Sequence, residues 1–431
     1  MTGHIDRVMK GREGIPSHRR VEKGLCRGWK DLLYYIYIGA VLEWLVIGGG
    51  VQGTFVSHVL SARLGFSRDE IRVLDPHIDP LARWRQTTDA CGMRFLRSPA
   101  AHHVGIRTNE LLDWTRANCP DWRREYLQPY LRPSLACWNA HAKSVIDEHR
   151  LEEMRIRGSA LDIHRSDDGS FNVQTSVESI HSKRIVLATG NSQPLHYPAL
   201  PVDSDLAGER IRHLFDPAFR RSDIQPGENV VIVGSGVSAA QLAIRLAGEQ
   251  GCRVQVLTDR MPQLSWFDSD PGWNGPRLLS RLAAIADPEE RQRMVSEARI
   301  RGSFPGDTAA SLLACGFHGK MTMHAGKLAS VNQAGSCVHL RFNDEHLTTD
   351  RLVFATGFST AVPAAPLVGQ LSARLGLPVS SAGWPVVNQY CEWAAGVLVC
   401  GALAQLELGP VSRNISGIRS FARRLVERYT A

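Results

Sequence analysis

Hydrophobic positions along this chain fall into short runs separated by glycine-rich turns and amphipathic stretches, and the order of those runs repeats. Leu45-Val46-Ile47 leads into Gly48-Gly49-Gly50-Val51-Gln52-Gly53. Val51, Phe55, Val56, Val59, Leu60 and Leu64 then recur at helical spacing until Gly65 ends the stretch. The pattern predicts a buried strand, a tight turn, a helix and a second parallel strand at Ile71-Arg72-Val73-Leu74-Asp75. The same order returns at Val230-Val231-Ile232-Val233, at Gly234-Ser235-Gly236-Val237-Ser238-Ala239 and at Arg253-Val254-Gln255-Val256-Leu257-Thr258. An apolar strand ending Ala-Thr-Gly closes each copy, at Ala188-Thr189-Gly190 and at Ala355-Thr356-Gly357.

Segments 154–188 and 327–354 share a further pattern, two strands joined by a turn (Asp167-Asp168-Gly169; Gln333-Ala334-Gly335) and a third running into Ala-Thr-Gly. The expected fold class is α/β, with two Rossmann-like, doubly wound domains and the second inserted into the first. Residues 44–200 and 350–431 are assigned to the first dinucleotide-binding domain. Residues 205–349 are assigned to the second, with a helical elaboration at about 261–330 that carries Trp266 and Trp273. Prolines at 194, 198, 201 and 217 mark the crossing between them. Residues 1–43 read as an extension outside the core; their apolar run at 32–40 is short for a membrane span, which needs about 20 residues.

Composition changes this picture little. At 431 residues the chain is long enough for two or three domains, and 43% hydrophobic with 22% charged is ordinary for a globular protein. The formal charge of +7 is uneven, because residues 1–31 hold eight Lys/Arg against four Asp/Glu and so carry +4 of it. The rest is too nearly neutral to form a polyanion footprint, which excludes a nucleic-acid partner. Nine scattered cysteines form no C-x-x-C pair and no metal-ligand cluster. That usage fits reduced thiols in a cytoplasmic protein and excludes a dithiol reductase.

The candidate chemistry sits in the turns. Gly48 permits the tight bend, Gly50 lets backbone amides reach a pyrophosphate, and Gly53 lets the helix press on the strand. The helix N-terminus at Val51 and Gln52 adds positive potential. Asp75, at the end of the second strand, suits the hydroxyls of an unphosphorylated ribose. In the second turn Gly234, Ser235, Gly236 and Ser238 lead to Ala239, a small residue replacing the third glycine. Thr258 stands where an acid would bind NAD ribose, and Arg260 follows two residues later. A hydroxyl beside a guanidinium suits a 2′-phosphate, so NADPH is favoured over NADH, although Asp259 lies between them.

In these residues the chain resembles two-dinucleotide-binding-domain flavoproteins, and among them the lysine/ornithine N-hydroxylase-like flavin-dependent monooxygenases. The likeness rests on the two glycine turns and on Leu352-Val353-Phe354-Ala355-Thr356-Gly357-Phe358. Trp84, Met93 and Leu96-Arg97-Ser98-Pro99 resemble the segment lining the flavin ring, and Gly401 with Leu408-Gly409-Pro410 resembles the last flavin-contacting loop. Val51 replaces a usual proline, and His213 falls one residue late in a F-x-G-x-x-x-H-like stretch.

The resemblance implies FAD in the first domain, bound with help from Trp84, Thr356, Gly357, Gly401, Gly409, Pro410 and Val411, and NADPH in the second. It implies NADPH-driven hydroxylation of a small amine or similar nucleophile by molecular oxygen through a flavin peroxide. Arg97 and His102, with His103 beside it, are the candidate catalytic donors. Two alternatives stay open, an NAD(P)H:acceptor flavin oxidoreductase without oxygen insertion and a non-catalytic flavin-binding redox partner. Oligomeric state is left open.

Overall fold

The computed structural model describes residues 41–190, 193–200, 206 and 208–430. The extension read at 1–43 therefore lies almost wholly outside the described residues.

The first glycine-turn unit builds a six-stranded sheet in the order Glu392–Ala394, Val397–Val399, Ile185–Leu187, Trp44–Ile47, Ile71–Asp75 and Arg155–Arg157. Every pairing in it is parallel except that of Glu392–Ala394 with Val397–Val399. The second unit builds a five-stranded parallel sheet in the order Ile211–His213, Arg351–Phe354, Asn229–Val233, Arg253–Thr258 and Met321–Ala325. Each unit carries its own three-stranded antiparallel excursion, Ala160–Arg165 to Ser179–Ser182 and Leu328–Ala334 to Glu345–Thr349. Both tips use the expected glycine, with Gly169 at φ 84° and Gly335 at φ 59°.

Two boundaries differ from the sequence reading. The Arg351–Phe354 strand pairs with Asn229–Val233, so it belongs to the second sheet and the chain returns to the first unit after Gly357, not at 350. The elaboration is α-helical only at Pro276–Ala283, Pro288–Glu297 and Gly306–Phe317, after a short 3-10 turn at Pro271–Asn274, and Met321–Ala325 is the outer strand of the second sheet. Strand pairing decided both, and a local pattern of apolar residues does not reveal it.

The Val51–Ala62 helix is enclosed more completely than its stripe implies. All residues from Gln52 to Leu60 are buried, including Thr54, Ser57 and His58. Burial favours hydrogen bonds for those polar groups, although His58 Nε2 has no partner. The Ser57 hydroxyl donates to the Thr54 carbonyl at 3.0 Å, and His58 Nδ1 lies 3.0 Å from the Val104 carbonyl. The terminal Ile415–Thr430 helix keeps one apolar face, burying Ile415, Ile418, Phe421, Ala422 and Leu425 at spacings of three and four. Each such side chain contributes about 1.5–3 kcal/mol when fully removed from water.

Both units close by the same contact. A Cβ on Gly48 (φ 109°) would lie 2.3 Å from the Ala188 carbonyl oxygen, and one on Gly234 (φ 151°) would lie 2.5 Å from that of Ala355. Each Ala-Thr-Gly strand thus presses its alanine carbonyl into the first glycine of its turn. Gly53 is as tight, its Cβ position 1.8 Å from the Gly48 carbonyl. By contrast Gly65 (φ 75°), after the helix, has nothing within 4 Å of its Cβ position.

Two outcomes follow for stability. Gly65→Ala costs about 1 kcal/mol of left-handed strain, whereas Gly48→Ala adds a backbone clash and costs more than about 3 kcal/mol or abolishes folding; urea unfolding of both variants checks the difference. Burial holds His58 and His213 neutral down to about pH 4 and His103 down to about pH 3, against 6.5 in the unfolded chain. The unfolded chain therefore binds more protons between those values, and the stability of the neutral imidazoles, complete above pH 6.5, is lost as the pH falls through the folded values. Tm is expected to fall steadily on acidification below 6.5 and to be flat from pH 7 to 8; a flat Tm from 7 to 5 contradicts this.

Candidate functional site

The two helix N-termini at the glycine turns leave space for a ligand. Neither Gly50 nor Gly236, the residues before Val51–Ala62 and Val237–Gly248, has anything within 4 Å of its Cβ position. No side chain caps either helix, so their first backbone amides are free of a capping partner. Ala239 is fully buried and lies 3.5 Å from the Cβ position of Gly234, which is why a small residue suffices there. Ser235 and Ser238 flank the second turn, half-buried.

Around the first turn, several polar side-chain atoms are buried without a partner. The Thr189 hydroxyl of the first Ala-Thr-Gly and the Ser412 hydroxyl are among them. Gln52 connects the turn to the late loop, its amide donating to the Ser412 carbonyl at 3.2 Å. Gly401 (φ 66°) is required beside it, since a Cβ would fall 1.9 Å from Gln52 Oε1. An open cradle at Gly50 with orphaned hydroxyls near it is a fit for a phosphate-bearing cofactor, which supplies many acceptors.

Asp75 stands at the end of its strand as expected, but it is not a free acid. Its Oδ2 accepts from the Gly49 amide at 2.6 Å and its Oδ1 from the His77 amide at 2.8 Å. Arg155 Nη2 lies 3.6 Å from Oδ1. That guanidinium also donates to the carbonyls of Gly49 (3.2 Å), His77 (2.8 Å) and Ile78 (2.6 Å), tying the turn to the 76–79 loop. Arg155 escaped sequence reading because it sits on an edge strand 77 to 106 residues from the carbonyls it holds.

The late loop departs from expectation in detail. Pro410 opens a short 3-10 turn, Pro410–Arg413, and the terminal helix begins only at Ile415. The Ser412 amide donates to the Gly409 carbonyl at 3.2 Å and is not open to a ligand. Val411 packs with Trp273, Leu278, Leu282 and Val295. Gly409 (φ 70°) lies so near Trp273 that a Cβ would sit 2.6 Å from the ring. Trp273 is thus the core of the helical elaboration, pressed on the late loop.

Three further candidates are engaged by protein groups. The Thr258 hydroxyl is buried and donates to the Arg260 carbonyl at 2.6 Å, so it shapes the turn that presents Arg260. Arg260 itself is exposed. Thr356 Oγ1 donates to the His196 carbonyl, and the Gly357 carbonyl accepts from the His196 amide at 2.9 Å. These two residues therefore pair the returning linker with the outgoing one, next to the stacked rings of Phe215 and Phe358.

Of the candidate donors, Arg97 does not face the first turn. Its guanidinium donates to the carbonyls of Ser265, Trp266 and Ser303 and to the Ser303 hydroxyl. Four of its five N–H donors are thus taken by protein acceptors. His102 remains available. Burial, reinforced by the Arg419 charge, holds its imidazole neutral down to about pH 4, and its buried Nδ1 has no partner. Its carbonyl accepts from the Trp138 indole at 3.0 Å, and Trp138 packs against Trp84 at 4.8 Å. Trp84 in turn donates to Asn139 Oδ1 at 2.9 Å. His103 is closed off by Arg419, the Gly105 amide and the Thr108 carbonyl. No group of three or more His, Cys, Asp or Glu side chains able to hold a metal occurs among the described residues, and no described helix is long and apolar enough to cross a membrane.

Comparison with known proteins bears on the whole arrangement. Residues 45–192 match the family described as FAD-NAD(P)-binding, and residues 140–304 match the pyridine nucleotide-disulphide oxidoreductases. An uncharacterized oxidoreductase of Bacillus subtilis is 34% identical over 80 residues, 19% of this chain and only 22% of that relative's length. The structure superposes on an ornithine N-hydroxylase from Kutzneria sp. 744 at TM-score 0.73, with 13% identity over 91% of this chain and all of the other. The FAD-bound cadaverine monooxygenase of desferrioxamine biosynthesis from Erwinia amylovora gives 0.72, with 14% identity over 91% and 95%. A bacillithiol disulfide reductase from Bacillus cereus gives 0.58, with 15% identity over 90% and 99%. By fold, then, the chain has the two-dinucleotide-binding-domain arrangement also seen in the ornithine hydroxylases and in the lysine and cadaverine monooxygenases.

Proposed function

We propose that this protein is an FAD-dependent, NADPH-driven monooxygenase that hydroxylates a small amine or similar nucleophile. The observation that carries the reading is the pair of open glycine turns in one chain, each closed by its own Ala-Thr-Gly strand and each lacking a side-chain cap. Two such turns suit two dinucleotides, and the likeness in fold to amine hydroxylases supports the direction of electron flow. The missing C-x-x-C argues against disulfide reduction, the activity named for the bacillithiol reductase.

When bound, a nicotinamide would supply a hydride and a flavin would carry its electrons onward to oxygen; that chemistry belongs to the cofactors. The chain's own residues bind, orient and exclude water. Gly50, Val51 and Gln52 offer amides and helix potential to the FAD pyrophosphate, and Asp75, held by Arg155, faces its ribose. Thr189 and Ser412 offer the orphaned hydroxyls. Gly234, Ser235, Gly236 and Ser238 hold the second pyrophosphate, while Thr258 sets the turn from which Arg260 meets a 2′-phosphate. His102 is neutral at physiological pH, so it donates or accepts a hydrogen bond without adding charge to the site. A cytoplasmic location fits the nine cysteines without a disulfide pattern.

Anaerobic NADPH is expected to bleach the bound flavin, and re-admission of oxygen with an effective amine is expected to yield hydroxylated product by mass spectrometry. Bleaching with hydrogen peroxide as the only oxygen product, across a panel of mono- and diamines and basic amino acids, would overturn oxygen insertion in favour of an acceptor reductase. For cofactor choice, Arg260→Ala should raise KM for NADPH by about 10–100-fold, the worth of one charged hydrogen bond, and leave KM for NADH within about twofold. Equal effects on the two nucleotides contradict the assignment.

A further inference from the structure

Arg97, read as a candidate catalytic donor, is fastened to the other dinucleotide unit. Its own segment is fixed on the first unit by the Leu96 amide donating to the Pro133 carbonyl at 2.9 Å and the Leu135 amide donating to the Arg94 carbonyl at 2.8 Å. From there Nε donates to the Trp266 carbonyl at 2.9 Å and Nη1 to the Ser303 carbonyl at 3.2 Å. Nη2 donates to the Ser265 carbonyl at 2.8 Å and the Ser303 hydroxyl at 3.0 Å. A guanidinium has five N–H donors in a fixed plane, and four bonds leave one.

The acceptors belong to one small construction. Gln263–Leu264 pairs in parallel with Ser303–Phe304, and the Ser265 amide donates to the Phe304 carbonyl at 3.1 Å. Gly302, the residue before this ribbon strand, packs on the second glycine turn so closely that a Cβ would fall 2.5 Å from Ser235 Oγ. A continuous path thus runs from the segment beside Trp84, through Arg97 and the ribbon, to the second turn. Tyr130 and Arg132 of the first unit flank it, Tyr130 against Trp266 (5.6 Å) and Phe267 (4.8 Å), and Arg132 paired with Asp307 at 2.6 Å.

We propose that Arg97 is a positioning residue for electron transfer between the two dinucleotides, holding the second turn at a fixed distance and angle from the flavin segment. This rests on the two-cofactor reading above. Transfer of a hydride requires reacting atoms about 3–3.5 Å apart, and a misplacement of about 1 Å costs on the order of 100-fold in rate. A planar fork bridging three backbone carbonyls fixes both distance and rotation, which a single point contact does not.

Arg97→Met, Arg97→Lys and Ser303→Ala, made in the full chain, test the proposal through two separate measurements. Hydrogen exchange on the purified protein reads the clamp itself; Arg97→Met is expected to speed exchange of the 263–266 and 300–304 amides at least tenfold. Anaerobic stopped flow reads the consequence. Arg97→Met should lower the limiting rate of flavin reduction by NADPH about 100-fold, with flavin content and NADPH affinity within about threefold of wild type. Arg97→Lys, reaching fewer carbonyls, should recover part of that rate, and Ser303→Ala should lower it only severalfold. An Arg97→Met protein with wild-type exchange and reduction rate overturns the proposal. So does one that loses its flavin while the ribbon stays protected, since Arg97 would then serve the first cofactor directly. If Arg97→Met does not fold, the Arg97→Lys and Ser303→Ala pair decides, and wild-type exchange and rates in both overturn the assignment. Failure of wild-type protein to bleach with NADPH would count against the two-cofactor reading alone, because the exchange measurement is independent of it.

Discussion

Each half of this molecule depends on one close backbone contact, the alanine carbonyl of an Ala-Thr-Gly strand seated against the first glycine of a turn. With any side chain at Gly48 or Gly234 the Cβ would lie 2.3 or 2.5 Å from the carbonyl oxygen of the returning strand, which would have to move away. Because the contact is between backbones, it sets the order of strands around it: the strand before the turn is flanked by the returning strand on one side and by the strand after the helix on the other. The parallel registers Leu45 with Ile185 and Val230 with Arg351 are its direct results. It also directs the following helix so that its amides point to open space, and binding potential arises there without any charged side chain.

The polar chemistry of the interior follows from enclosure. Histidines 58, 102, 103 and 213 are all held neutral, in each case chiefly because burial penalises the imidazolium. Charge enters instead through arginines whose donors are occupied by carbonyls, as at Arg97, Arg155 and Arg419. These guanidiniums tie loops that are distant in sequence, and they do so beside the turns. The functional region is therefore an arrangement of backbone amides and neutral hydroxyls stiffened from behind by buried cations, which suits cofactors that bring their own reactivity.

The helical elaboration connects the two halves. Trp273 packs on Gly409 and Val411 of the late loop, while Trp266 a few residues earlier meets Tyr130 and Arg132 near the flavin segment. An insertion belonging by sequence to the second unit thus braces the first at two places. Both tryptophans serve packing between units, and the weight of aromatic residues there needs no ligand to explain it.

The repeated grammar, the edges of the main strands and the inserted arrangement were all readable along the chain, because they rest on local periods and on glycines whose reason is steric. The same holds for Asp75, Gly50 and Gly236, whose places are set within a single strand–turn–helix unit. What the chain could not declare were partnerships closed over long separations. Arg97 reads as a candidate catalytic donor, and only the fold shows Ser265 and Ser303 taking its bonds. Only the fold shows the Thr258 hydroxyl on the Arg260 carbonyl, and the boundary read at 350 gives way once the hydrogen bonds of the 351–354 strand are followed. A hydrogen-bond donor on a side chain fits many acceptors equally well, so only the packing of distant segments selects one. A backbone that needs glycine accepts almost nothing else, and that requirement is written in the residue itself.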